Sequence, residues 1–201
     1  GVGFDYQAEG AWQLGKFMTG IDQDAYGFKL DAGFRFNDVA ARPRLWGQAV
    51  RLSGDHSCTA DKNEAWDVFY GGWPQYGDLL VWKYVNVGSN NAIAIYDPEY
   101  NSGSTVGGEA VYSNFNMFGG GIGFQPIQSL TARLSYSKII VDRYAEGTSD
   151  DFGDYYQFFG KYRYSKHVSV AVYAAMIDPG EAFVDRKDPA TEAFWEVDLD
   201  F

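Results

Sequence analysis

Six basic residues hold most of the chemistry this chain offers. Lys29, Arg35, Arg51, Arg133, Lys161 and Arg163 stand at the polar positions of segments in which polar and apolar residues alternate. An arginine fork grips a carboxylate in bidentate fashion, and a lysine ammonium adds a point charge. Gathered on one surface, such groups suit an anionic sugar polymer or a small carboxylate. Pairing residues 128–143 with 152–165 through the loop YAEGTSDD sets Arg133 opposite about residue 162, so Arg133, Lys161 and Arg163 are expected to cluster. Asp5, Glu9 and Asp31 are available to neutralise cations, so a space-filling ion pair accounts equally well for any single member.

Other reactive groups are poorly supported. Asp55, Asp61, Glu64 and Asp67 fall in one acidic stretch where calcium is conceivable, but a solvated acidic loop explains them more simply. His56 and Cys58 lack a third ligand at useful spacing, so no metal site is expected. GGGIG at 119–123 has no following lysine and sits within a strand pattern, which excludes a phosphate loop. No serine has a plausible triad. The chain reads as non-enzymatic, with no cofactor.

Composition narrows the class. The chain has 201 residues, a length for one domain spanning 1–201. A net charge of −11 argues against a nucleic-acid partner. Aromatic residues at 18% and 24 glycines favour strands and turns over long helices. A single cysteine excludes an intrachain disulfide. No apolar run is long enough for a membrane-spanning helix. Mean hydropathy is −0.31, which does not exclude a membrane barrel, because only alternate strand residues face lipid.

The elements that position the basic residues have period two. Val2 to Leu14 alternate apolar with Gly3 to Gln13 polar, and Tyr26 to Phe36 repeat the pattern with Gly27 to Asn37, so GIDQD between them is expected to form a hairpin loop. The alternation returns at 130–137, 156–164, 168–176 and 194–201. RPRLWGQAVRLSGD (42–55) reads as a strand of mixed alternation, residues 55–78 as a long loop, and LLVWKYVNV and NAIAIY as two shorter strands. In GGEAVYSNFNMFGGGIGF the glycines predict a bulge, a bend or close backbone approach. About ten strands and no helix are expected.

A soluble β-sandwich also alternates, with its apolar face inward. Three features favour an antiparallel transmembrane β-barrel. The strands are long for a globular sheet. Aromatics crowd the strand ends of the apolar face, as in membrane-interface girdles. The chain also closes on FWEVDLDF, where Trp195, Val197, Leu199 and Phe201 share one face. That segment resembles the C-terminal recognition signal of bacterial outer-membrane barrels, which implies the barrel-insertion machinery and outer-membrane lipid as partners. It lacks the glycine often found within that signal.

Several stretches resemble the alginate-export family of outer-membrane porins. They are RPRLWGQAVRLSGD (42–55), FYGGWPQYGDLLVWKYVNVGSNN (69–91), GFQPIQSLTARLSYSKI (123–139) and DYYQFFGKYRYSKHVSVAVYAAMIDPGEAF (154–183). The resemblance implies a barrel of about eighteen strands, of which these residues are the C-terminal part, incomplete on the N-terminal side. It also implies an electropositive lumen for polyuronate, carried here by Lys29, Arg35, Arg51, Arg133, Lys161 and Arg163. Closure of about ten strands alone would bring Asp5 and Glu9 beside Glu196, Asp198 and Asp200, and like charges across strands are unfavourable.

The leading reading is an outer-membrane channel for anionic saccharides or related small solutes. A barrel that sheathes a partner such as an electron-transfer subunit is the second. A soluble carbohydrate-binding sandwich is the third.

Overall fold

The computed structural model describes residues 1–55, 61–66, 114–143, 149–182 and 188–201. The expected strands LLVWKYVNV and NAIAIY lie outside them, as do His56, Cys58 and Asp67. The described residues form β1 (Val2–Met18), β2 (Ile21–Phe36), β3 (Arg44–Leu52), β4 (Lys62–Asn63), β5 (Phe115–Ile127), β6 (Leu130–Val141), β7 (Asp151–Arg163), β8 (Val168–Pro179) and β9 (Ala190–Leu199), with no helix. They make one nine-stranded sheet in the order β1-β2-β3-β5-β6-β7-β8-β9, each neighbour antiparallel, with β4 added in parallel to β2. Among the described residues β1 and β9 do not pair with each other, and the sheet is open.

Period-two sequence gives the sheet two unlike faces. Even-numbered residues of 2–14 in β1, 26–36 in β2, 130–136 in β6 and 156–162 in β7 form a convex apolar surface. Phe28 is 47% exposed, Leu134 51% and Phe158 39%, values that no protein core allows. Cross-strand partners on this face are aromatic, as in Phe4 opposite Phe34, with ring centroids 5.1 Å apart. A charged row ends the apolar band toward the long loops. There Lys138 meets Asp151 at 2.6 Å and Asp154 at 3.2 Å, and the Tyr136 hydroxyl donates to Asp154.

The other face is concave. Asp5 of β1 and Phe159 of β7 line one cavity although four strands separate theirs in the sheet, so the sheet curls. Toward the long loops this face is packed. Val50, Leu52, Met117, Ile139, Val141, Phe152, Tyr155 and Ile177 are buried together, and Trp66 packs on them from the segment after β3. That segment is tied down at several points. Trp66 N–H donates to the Ser53 carbonyl, and the Gln23 and Asn63 amides are hydrogen-bonded to each other. Lys62 meets Asp24 at 2.6 Å, a hydrogen bond that lifts the ammonium above its usual lysine range.

Two expectations need correction. GIDQD is not a loop: β2 begins within it at Ile21, and β1 and β2 are joined by a two-residue turn at Thr19–Gly20, where Gly20 has φ 84°. The hydrophilic residues 22–24 remain strand because β1 supplies their backbone partners. Arg133 stands opposite Phe159 rather than residue 162. β6 ends at Val141, earlier than the loop composition implies, and the register shifts between Ile139 and Ile140.

Candidate functional site

Strand register sets the concave site in rows that run across the sheet. One row reads Arg35 (β2), Arg44 (β3), Gly123 (β5), Arg133 (β6), Phe159 (β7), Tyr173 (β8) and Phe194 (β9). Three cations therefore lead into three aromatic rings. Tyr173 and Phe194 stack at 4.5 Å with planes 10° apart, Phe159 tilts against Tyr173 at 5.1 Å, and the Arg133 guanidinium lies 4.5 Å from the Phe159 centroid. The ring contact positions Arg133 by cation–π attraction without neutralising it.

Toward the tight turns the face is electropositive. A cavity of about 610 Å³ is lined by Arg35, Arg44, Arg133, Lys161 and Arg163, against only Asp5 and Asp31. Their states differ. Arg44 Nε lies 3.1 Å from both Asp5 carboxylate oxygens, its Nη2 also bonds Asp5, and Nη2 reaches Asp31 at 2.8 Å. Lys161 is matched by Asp198 on β9 at 2.9 Å. Arg35, Arg133 and Arg163 make no ion pair among the described residues, and all three side chains are exposed to the concave space. Lys29 sits one cavity further toward the loops.

The sequence-predicted set is therefore mostly brought together. Lys29, Arg35, Arg133, Lys161 and Arg163 share the concave face. Arg51 does not. On β3 the even-numbered residues face inward, because Val50 pairs with buried Met117, so Arg51 stands opposite Phe28 on the convex side. There it binds Asp142 at 2.9 Å and lies over the Tyr26 ring. Arg44 takes the inward place that sequence reasoning gave to Arg51. The same strand carries Trp46 and Gln48 inward. The signal existed in the apolar residues Val50 and Leu52, but small Gly47 and Ala49 on the convex face hid the alternation.

In the acidic stretch, the Asp55 carboxylate accepts the Glu64 N–H at 2.8 Å, and Glu64 is 4.0 Å from Lys62. No group of three potential ligands for a metal occurs among the described residues.

Comparison with known protein families decides the class. The family model for alginate export matches residues 1–196. The chain belongs to the alginate-export family. Its members are outer-membrane porins of β-barrel fold that export polysaccharide, a transport role and not an enzymatic one. No curated protein matches the chain. Within an alginate-export barrel the convex apolar face is the one turned to lipid, and the concave basic face the one turned to the pore. Trp195, Val197 and Leu199 lie on the convex side of β9, opposite Val172, Val170 and Val168 of β8, and are exposed with Phe201. Glu196 and Asp198 turn inward, where Glu196 accepts the Tyr173 hydroxyl and Asp198 meets Lys161.

Proposed function

We propose that this chain forms part of an outer-membrane channel that passes anionic polysaccharide, with Arg35, Arg133 and Arg163 as the groups that attract its carboxylates. The observation that carries this reading is that among the described residues they have no ion-pair partner, around a cavity where Arg44 has two and Lys161 one. A cation already paired contributes little field beyond its partner, whereas an unpaired one in a confined polar space raises the local anion concentration. Lys29 extends the basic path toward the loops.

The open sheet supports a barrel larger than these strands. In hydrocarbon every backbone donor and acceptor must be paired, and among the described residues β1 and β9 each have one neighbour only. Further strands would complete the ring, with β9 delivering the Trp195, Val197, Leu199 and Phe201 signal to the insertion machinery.

The test is electrophysiological. In the complete barrel the triple variant Arg35→Gln, Arg133→Gln, Arg163→Gln is expected to insert normally, since no lipid-facing residue changes. Its anion preference in a salt gradient falls, and block by oligouronates weakens. The difference shrinks at about 1 M salt, where the Debye length is roughly 3 Å. An unchanged reversal potential at low salt would return these arginines to the status of filler.

A further inference from the structure

The GGGIG run of β5 and the tryptophan facing it have a use that basic selectivity does not explain. Trp46 is flanked in its row by two glycines, Gly33 on β2 and Gly121 on β5. A Cβ on Gly121 would come within 2.9 Å of indole Cζ2 and 3.0 Å of Cε2, so the indole occupies the room that glycine leaves. On the other side the Arg44 guanidinium fills the room over Gly33, within 2.8 Å of where a Cβ would stand. The same row continues through Ser135 and Gln157. Gln48 lies on the loop side of Trp46 along β3, and Arg133 on the turn side of Ser135 along β6. All five residues line one cavity of about 520 Å³.

Among the described residues the indole N–H is buried without a hydrogen-bond partner. A residue needed only to cover glycine would avoid that desolvation cost as phenylalanine or leucine. What tryptophan adds is a broad ring system. Around it stand two amides, a hydroxyl and an exposed guanidinium, the groups that bind sugar hydroxyls and a sugar carboxylate.

We propose that Trp46 is the stacking platform of a saccharide subsite, with Gln48, Ser135 and Gln157 as hydroxyl partners and Arg133 as the carboxylate fork. The ligand class is a pyranose unit of a polysaccharide, and Arg133 favours the acidic form. This rests on the channel reading above, and deepens it by separating ring recognition from charge recognition. Stacking acts on the apolar face of any pyranose, whereas Arg133 acts on uronates alone.

The experiment uses the complete barrel in planar bilayers, with oligouronates and neutral oligosaccharides of matched length as blockers. Trp46→Leu is expected to shorten the residence time of both kinds about fivefold, the scale of one lost aromatic contact. Arg133→Gln shortens that of oligouronates only. Trp46→Phe keeps a ring over Gly121 and gives a smaller loss, which preserves the test should leucine impair insertion. Trp12→Leu, the same exchange on the convex face of β1, changes neither residence time. Equal residence times in parent and both Trp46 variants would overturn the subsite while leaving the channel reading intact. A parent barrel that no saccharide blocks would instead overturn the channel reading itself.

Discussion

Arg35 and Arg44 stand directly opposite each other across β2 and β3, two like charges in register on one face. Such a pair is unfavourable unless one charge is answered elsewhere. Asp5 and Asp31 answer Arg44, whose guanidinium folds over Gly33 to reach them. Arg35 is thereby left without an ion-pair partner among the described residues, exposed on the concave face.

Gly33 is the hinge of that arrangement. Gly33→Ala would place a methyl 2.8 Å from the Arg44 guanidinium, which must shift and is expected to lose part of its grip on Asp5 and Asp31. Loss of these partly buried charge-assisted bonds is expected to cost about 1–3 kcal/mol in urea unfolding of the inserted barrel. In Arg44→Gln the same glycine substitution is expected to cost far less, and a double-mutant cycle measures the difference.

Lys161 and Asp198 form a self-contained pair, 2.9 Å apart. Removing both charges together, as Lys161→Gln with Asp198→Asn, is expected to leave the reversal potential near that of the parent. Arg163→Gln, which removes one unpaired charge two residues away on the same face, is expected to lower anion preference. A larger shift from the double variant than from Arg163→Gln would mean that Lys161 works in the pore despite its partner.

The two faces predict opposite tolerance at adjacent positions. Leu134 is convex and Ser135 concave. Leu134→Arg is expected to destabilise the inserted barrel by about 2–4 kcal/mol, the cost of a cation near mid-bilayer. Ser135→Arg should cost well under half of that in the same folding titration, because a pore wall is wet.

Trp66 closes the packed end of the concave face, over Gly27 and against Val50, Leu52 and their neighbours. Trp66→Ala leaves a cavity there, and about 2–4 kcal/mol of stability is expected to go with it. Protease cleavage within 61–66 should rise in parallel, since the indole is the apolar anchor that joins that segment to the buried cluster.

The convex face was legible because lipid enforces one rule along its whole length. On the convex side β1, β2, β6, β7, β8 and β9 carry apolar residues at nearly every second position from the tight turns to the charged row at Lys138 and Asp154, so their orientation followed from the residues alone. Inward positions obey two rules. Near the turns they are polar, as Arg133 and Gln157 are, and near the loops they are core, as Ile139 and Val141 are. β3 spans both zones in nine residues, so its alternation blurred and Arg51 was placed on the wrong side. Register across β6 and β7 was illegible for another reason. Loop composition does not show where pairing begins, and its start at Ile140 with Asp151 sets the register that brings Arg133 opposite Phe159.

The open edges of β1 and β9 carry a consequence for handling the protein. β1 offers 17 residues of backbone whose outer side meets no strand among the described residues, and β9 offers ten. An unprotected strand edge is a template for whatever chain arrives first. Wherever those two edges stay uncovered they would be sticky seams, prone to annealing with further copies into oligomeric sheets. Light scattering in dilute detergent would record that annealing directly.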